Sequence, residues 1–492
     1  NAERTTNIQA SLNYNRIFGS HTAYGLVLLN QNSYINGPVV PVNYRGLTFR
    51  GGYDYQKKYL IEFNAAYNGS DRFSEGNRLG WFPAISVGYN LAEEDFFNKS
   101  VKFVNLFKIR GSYGMVGSDF TGSSYAYAYE QVYSGSSSSY NFGPSPTNAL
   151  GITEGTLGNN NITWEKEKKL DIGLDLSLFQ GKIAATVDYF DNDRYDILTT
   201  RQSVPLIIGV GLPPVNLGKV NNKGWDGELT FRSKIKSVDY FLRGTFTLAK
   251  NLIIFKDEAQ QRYPWLQETG RPIGQTYGYH FLGFYSESDL TDATVAKPLG
   301  ARAGDLKYQD LNGDLVIDAY DKGPIGKPNL PSTTLGLTLG FNYKGFGFSA
   351  LLTSSTGYSL AFASEAISAF SSNFQPIHLQ AWTPENAANA KFPIITRNSN
   401  NINASNVSQS DFWQINAKYL RLKTMEVSYQ LPSAWVKRVG INGARIYANG
   451  YNLLTWTNID KFYQADPEAT PGGVIGAYPN QKIYNFGLSF SL

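Results

Sequence analysis

The chain has 492 residues, no cysteine, and a net charge of +4 from 44 Lys and Arg against 40 Asp and Glu. Without cysteine there are no disulfides, thiolate metal sites or cysteine nucleophiles, and so balanced a charge gives no case for nucleic acid as a partner. No run of about 18 apolar residues occurs, which excludes transmembrane helices. The 33 Tyr and 30 Phe instead suit the interfacial girdles of a membrane β-barrel, whose half-polar strands escape hydropathy scales.

The opening residues, Asn1-Ala2-Glu3-Arg4, lack the basic, apolar, small-residue order of an export signal and run at once into strand pattern. Either a signal has been cleaved or the chain is a piece of a longer protein, and the second is the expectation. Period-two alternation then recurs from end to end. Over 59–67 one face carries Tyr59, Ile61, Phe63, Ala65 and Tyr67, and the other Glu62 and Asn64. The same reading holds for 85–91 and for 107–115. There a one-residue slip would turn Lys108 and Arg110 toward lipid, at a cost of roughly 2–4 kcal/mol each at the bilayer midplane. Over 170–178, Leu or Ile at every second position alternates with Asp171, Gly173, Asp175 and Ser177. Further segments are 183–189, 225–231, 240–248, 335–341, 346–352 and 425–431. About sixteen such segments are expected, each near the 9–11 residues of a tilted membrane strand.

The connections are lopsided. Phe18-Gly19-Ser20-His21, Phe179-Gln180-Gly181-Lys182 and Tyr343-Lys344-Gly345-Phe346 read as short hairpin turns. Residues 118–163, 195–223, 251–332 and 354–416 read as long loops. Short turns at one rim and long loops at the other match the periplasmic and extracellular ends of an outer-membrane barrel, and would be out of place in a soluble sandwich. No linker divides the chain, so residues 1–492 are expected to form one transmembrane antiparallel β-barrel unit. The chain finishes on Phe486, Leu488, Phe490 and Leu492 along one face, with Asn485, Gly487, Ser489 and Ser491 along the other. A bare aromatic edge strand is a liability in a soluble sheet, and barrel closure removes it. Asn485, Gly487, Phe490 and Leu492 also resemble the terminal signal by which the barrel-assembly machinery recognises outer-membrane barrels.

The best candidate for chemistry is an acidic loop. Asp310, Asn312, Asp314, Asp318 and Asp321, with the carbonyl of Val316, fall at positions 1, 3, 5, 9, 12 and 7 of an EF-hand-type Ca²⁺ loop. Leu315 at the sixth position, usually Gly, and Asp rather than Glu at the twelfth depart from that pattern. The bland alternative is a solvated Asn-Gly turn in an extracellular loop; a bound ion would be structural. Tyr125, Tyr127, Tyr129, Tyr133 and Tyr140 could stack on sugars or peptides, but loop packing is the favoured reading. Trp81, Trp164, Trp225, Trp413 and Trp456 are expected in interfacial girdles. No enzyme is expected. His21, His280 and His378 are scattered, no nucleophile elbow or phosphate loop occurs, and Glu165/Glu167 and Asp171/Asp175 read as lumen-facing acids.

Several segments resemble one family, the SusC/RagA-like TonB-dependent transporters of Bacteroidota outer membranes. They are YDYQKKYL at 53–60, NGSDRF at 68–73, GWFPA at 80–84, LFKIRGSYGMVG at 106–117 and WEKEKKLDIGLDL at 164–176. NNKGWDGE at 221–228, residues 304–321, YLRLKTMEVSY at 419–429, YNLLT at 451–455, Tyr478-Pro479 and residues 485–492 continue the match in order. The family commonly finishes in Phe where this chain has Leu492. The resemblance implies the C-terminal part of a barrel of about 22 strands with a plugged lumen, since nothing here matches the plug, the TonB box or the small domain that often precedes it. It also implies TonB-dependent import of a nutrient, oligosaccharide or oligopeptide, with a SusD-like surface lipoprotein as partner and TonB engaged through an N-terminal region. The alternatives are a scaffold barrel that transports nothing and a secreted multi-domain β enzyme acting on polysaccharide.

Overall fold

Alternation this regular leaves a strand two chemically distinct faces, and neighbouring strands must align those faces if one of them is to meet lipid. The computed structural model describes residues 3–36, 40–121, 127–142, 147–361, 370, 374–395, 410–436, 440–459, 466–468 and 480–491. In chain order the strands begin with β1 (Glu3–Phe18), β2 (His21–Asn36), β3 (Val42–Tyr55), β4 (Tyr59–Ser70), β5 (Leu79–Asn90) and β6 (Val104–Ser118). Then come β7 (Tyr133–Phe142), β8 (Thr147–Glu154), β9 (Glu165–Leu178), β10 (Ile183–Thr199), β11 (Val215–Ile235) and β12 (Val238–Phe255). Four short strands follow, β13 (Thr276–Gly278), β14 (Phe281–Phe284), β15 (Leu306–Tyr308) and β16 (Gly323–Ile325). The last are β17 (Thr333–Tyr343), β18 (Phe346–Thr356), β19 (Ser359–Ala361), β20 (Gln414–Asn416), β21 (Tyr419–Gln430), β22 (Gly443–Thr457) and β23 (Ile483–Ser491). Fifteen of these make up the wall. They fall in two compact units, the first holding Asn1–Trp225, Lys250–Gln260 and Glu268–Gly270, the second Asp226–Ala249, Gln261–Gln267 and Arg271–Leu492.

In the first unit the wall order is β1-β2-β3-β4-β5-β6-β9-β10-β11, each strand beside the next wall strand of the chain. Its registers carry one face across the sheet: Ala23, Tyr53, Ile61, Val87, Gly111, Ile172 and Tyr189 lie in one row. Ile61, Val87 and Ile172 on that row are exposed, and an apolar face this continuous is a surface made for lipid. The opposite row, Tyr24, Gly52, Glu62, Ser86, Ser112, Asp171 and Phe190, is largely polar. Aromatics bracket the apolar face. Tyr59 stacks on Tyr89 at 5.2 Å at the short-turn end, and Tyr67 meets Trp81 at 6.2 Å at the other. The eight residue steps from Tyr59 to Tyr67 span about 27 Å of strand, or about 20 Å along the bilayer normal at a tilt of roughly 40°.

The second unit runs β11-β12-β17-β18-β21-β22-β23. The turn between β17 and β18 places Lys344 at φ 45° and Gly345 at φ 88°, the paired left-handed conformation of a two-residue hairpin. Along β23 the register runs from Ser491 opposite Gly443 to Ile483 opposite Tyr451. Asn485 Nδ2 donates to Asn449 Oδ1 at 3.0 Å. Gly487 leaves room for the Tyr447 ring, because a Cβ there would stand 2.3 Å from it. Phe486, Leu488 and Phe490 are exposed on one face; Leu492 lies outside the described residues.

Three expectations change in detail. The loop expected at 195–223 shrinks, because β10 continues to Thr199 and β11 starts at Val215. Across these extended strand ends Arg194 pairs with Glu165, and Asn221 of β11 donates to Asp191 and Asp193 of β10. The 118–163 connection is not plain loop, since it contains the hairpin β7–β8. Most wall strands also exceed 9–11 residues, up to the 21 of β11, while β17, β18 and β23 stay within that range.

The two faces of β4 make this arrangement testable. Phe63→Arg puts a charge on the lipid side at a cost of about 2–4 kcal/mol, whereas Asn64→Arg puts it on the polar side. The folded, heat-modifiable band on gels is expected to fade for Phe63→Arg and persist for Asn64→Arg. Equal behaviour of the two would contradict the assigned faces.

Candidate functional site

The polar face of the first unit is organised around one guanidinium. Arg110 on β6 lies 3.1 Å from Asp171, 3.2 Å from Asp175 and 2.6 Å from Asp188. This cluster depends on Gly173, which stands in register with both Arg110 and Asp188. A Cβ at Gly173 would sit 2.2 Å from Asp188 Oδ1 and 2.6 Å from Arg110 Cζ. Arg50 and Glu62 pair at 2.5 Å on the same face, with Tyr24 donating to Glu62 at 2.6 Å. Lys108 and Arg110 thus lie on the polar side, Lys108 opposite Asp175, and Asp171 and Asp175 are ion-pair partners. Glu165 is buried against Arg194 and accepts the Leu198 N–H at 3.0 Å. Glu167 lies 3.6 Å from Lys169.

In the second unit the long connections fold into a body with its own core. Strands β13–β16, β14–β15 and β19–β20 pair around Tyr279, Leu306, Tyr308, Tyr358, Leu360, Trp413 and their neighbours. Tyr279 and Tyr308 stack at 4.8 Å, and burial pushes the Tyr308 pKa up. Asp411 ties two of the segments, accepting the Phe281 N–H at 2.7 Å and lying 3.2 Å from His280 Nδ1. Lys307, at 2.7 Å, and the bonds from Ser286 hold the Asp289 carboxyl down at about 2. Arg421, almost fully buried, reaches Asp466 at 2.7 Å, Glu468 at 2.5 Å and Thr455 at 3.0 Å. Tyr358 donates to the Pro467 carbonyl at 2.6 Å. Sequence reasoning missed this knot. Its only signal was a basic residue on β21 and the acids of Asp466-Pro467-Glu468, some 45 residues apart.

The acidic loop lies in the same body. Asp310 accepts the N–H groups of Gly313 at 2.7 Å and Leu315 at 2.9 Å. Asn312 accepts from Asp314 N–H, and Asp314 in turn from Val316 N–H. Asp318 caps the turn at Tyr320, and Asp321 takes the N–H groups of Leu311 and Asp318. Leu315 adopts φ 63°, the left-handed turn for which Gly is usually needed. Burial works against ionised Asp310, but the Leu315 and Gly313 amides outweigh it and leave its pKa below the ordinary value. Asp321, fully buried, is shifted upward by that burial. Among the described residues, no three His, Asp or Glu side chains are grouped as a metal would require.

The aromatic residues divide. Trp81, Trp225 and Trp456 are exposed on the wall, as girdle residues are. Trp164 and Trp413 are not in a girdle, which corrects the expectation. Trp164 is buried against Phe73 and Phe82 with its Nε1 on the Arg78 carbonyl at 3.0 Å, and Trp413 is buried in the loop body. Both lie beside loop residues that supply a second apolar side, which a strand pattern alone does not reveal. Tyr127 and Tyr129 hydroxyls donate to the carbonyls of Pro41 and Asp71, as loop packing requires. Tyr133 is exposed and Tyr140 lies in β7; Tyr125 lies outside the described residues. His21 lies by Tyr53 at the short-turn end, while His378 is buried against Phe392.

Residues 3–453 match the family model described as TonB dependent receptor-like, beta-barrel. The chain belongs to this family. TonB-dependent receptor P3 of Formosa agariphila is 28% identical over 492 residues, covering 94% of this chain and 47% of that protein. TonB-dependent receptor SusC of Bacteroides thetaiotaomicron is 26% identical, covering 89% and 43%. A solved structure of the RagAB peptide transporter superposes with a TM-score of 0.77 at 22% identity, covering 99% of this chain and 55% of that one. That likeness is one of fold. The chain spans about half the length of the curated relatives it matches. It is SusC/RagA-like outer-membrane β-barrel wall.

Gly173→Val is expected to displace Arg110 from its carboxylates and destabilise the barrel by about 1–3 kcal/mol. Denaturant unfolding in detergent checks this, with Gly244→Val within β12, where a Cβ meets nothing within 4 Å and the backbone is ordinary strand, as the comparison. A Gly173→Val barrel as stable as wild type would show that Arg110 does not need the space.

Proposed function

We propose that this chain forms the wall and extracellular loops of a receptor that imports a nutrient across the outer membrane, driven by TonB. The observation that carries the reading is the family match over residues 3–453. The polar inner face and a loop body with its own packed core support it, because an importer needs both a wettable lumen and a preorganised mouth. The proposed partners are a SusD-like surface lipoprotein, TonB, the barrel-assembly machinery acting through the terminal strand, and membrane lipid. The substrate class is oligosaccharide or oligopeptide; the RagAB complex is a peptide transporter, and nothing in the described loops chooses between the two. No catalytic role is proposed for any residue.

The test uses the full-length receptor in cells that also make its lipoprotein partner. Uptake of labelled oligosaccharides or oligopeptides is expected to cease when TonB is removed, and the lipoprotein is expected to co-purify with the receptor. Uptake indifferent to TonB would sink the import reading. A receptor that instead purified within a larger assembly would point to the scaffold alternative.

The same reading takes the Asp310–Asp321 loop as a structural Ca²⁺ site. Supporting it are the left-handed Leu315 and the amide-bound Asp310, which set the turn an ion loop needs. Binding would require Asp310, Asp314 and Asp318 to swing from backbone amides toward a common centre. Ca²⁺ at about 100 times its Kd would stabilise the loop body by about 2.7 kcal/mol, read as slower proteolysis of the Lys297–Lys322 region than in chelator. Identical proteolysis in Ca²⁺ and chelator would end this assignment.

A further inference from the structure

The longest short-end connection of the first unit, residues 91–103, does something a turn has no need to do. It carries a helix, α1 (Asp95–Ser100), and the structure folds it back over the lipid-facing side of the wall. Phe97 lies 6.0 Å from Phe107, which shares its face of β6 with the lipid-side residue Ile109. Glu94 accepts hydroxyl bonds from Tyr59 at 2.8 Å and Tyr89 at 3.3 Å, and lies 3.3 Å from Lys58 Nζ. Both tyrosines belong to the aromatic row at the short-turn rim, so Glu94 holds the start of α1 against that rim.

With Phe97 turned to the wall, its neighbour Phe96 is 64% exposed. Beside the helix, Phe103 and Phe179 stack at 5.4 Å, yet remain 50% and 47% exposed. A stacked aromatic pair left this open in water would be unusual, but it fits the boundary between headgroups and acyl chains. Three lysines flank the pair along the chain. Lys99 closes the helix, Lys102 precedes Phe103, and Lys182 follows the Phe179 turn; all are exposed, and among the described residues none has a carboxylate within 4 Å. Of the segment's exposed acids, Glu93 precedes the helix and Asp95 opens it one turn before Lys99, with no ion pair between Asp95 and Lys99 among the described residues.

We propose that residues 94–103, together with Phe179 and Lys182, form an in-plane anchor that holds an anionic phospholipid of the periplasmic leaflet. Phe96 and the Phe103–Phe179 pair enter the acyl-chain boundary, while Lys99, Lys102 and Lys182 face the phosphate. The assignment rests on the outer-membrane reading for which leaflet the short-turn end meets, and on nothing about transport.

The test is native mass spectrometry of the full-length receptor in detergent, with dioleoyl phosphatidylglycerol or dioleoyl phosphatidylcholine added. Wild type is expected to retain phosphatidylglycerol in preference to phosphatidylcholine. The triple variant K99Q/K102Q/K182Q is expected to lose that preference, at about fivefold per lysine, and Phe96→Ser to weaken retention of both lipids. Equal retention of the two lipids by wild type, or phosphatidylglycerol binding undiminished in the triple variant, would overturn the proposal. Should the triple variant fail to give the heat-modifiable band, Lys182→Gln alone, in a separate turn, carries the test through its expected fivefold loss. Import that failed while lipid retention persisted would count against the function and not against the anchor.

Discussion

Within the hydrocarbon of a bilayer no water is available to a backbone N–H or C=O, and each one left unpaired costs several kcal/mol. A chain that crosses by strands must therefore complete its hydrogen bonding laterally, from one strand to the next. Everything else in this wall follows from that requirement. Lateral pairing fixes the register, the register fixes which side chains share a row, and a single slipped residue would exchange the faces. The rows through Ile61, Val87 and Ile172 and through Glu62, Ser86 and Asp171 are the two outcomes of one pairing scheme. Aromatic residues then collect where the apolar row ends, because Tyr and Trp have both an apolar body and a polar tip.

The polar face has the opposite difficulty. Charged side chains there stand close together on a rigid sheet, and an unpaired one beside a low-dielectric wall is costly. Arg110 answers this by serving three aspartates at once. The geometry works only because Gly173 leaves a hole between them. The same device recurs where Tyr24 lies across Gly52 and where Tyr447 lies across Gly487. Glycine weakens a strand in general; in this wall it provides the space in which a large inward side chain lies across it, and Arg110 and Tyr24 reach carboxylates that way.

How much of this could be read from the chain follows from the range of the interactions involved. Strand alternation is local, so β4, β9 and β17 and their faces were legible, as were the turns at Gly19 and Gly345. The inward placement of Lys108 and Arg110 was legible too, because the alternative was so costly. The three-aspartate cluster was half legible: Asp171 and Asp175 sit in the pattern, but Asp188 joins them only through pairing of β9 with β10. The loop body was not legible at all. Trp413 packs against residues from distant segments, and Arg421 finds its acids beyond the following strand. Trp164 misled for the same reason: on a strand end it reads as a girdle residue until loop residues Phe73 and Ile162 cover it.

The loop body therefore reflects a different solution to stability from the wall. A strand in the wall is held by backbone bonds along its whole length, whatever its side chains. A connection as long as residues 256–332 has no such ladder and would lose about 1–2 kcal/mol of backbone entropy per ordered residue. It can hold one shape only by burying a core, and Leu306, Tyr308, Leu360 and Trp413 do so at nearly complete burial. Short paired strands such as β14–β15 and β19–β20 satisfy the backbone polar groups that this burial removes from water. Buried Arg421 adds a polar fastening to the wall strand itself, through Asp466 and Glu468. A buried ion pair is poor evidence of added stability, since desolvation offsets much of the attraction. What the Arg421 knot adds is a shared fastening: Asp466-Pro467-Glu468 meets the guanidinium, the Tyr419 hydroxyl and the Tyr358 hydroxyl together. A body built this way has its ordering cost met in folding, by its own buried core.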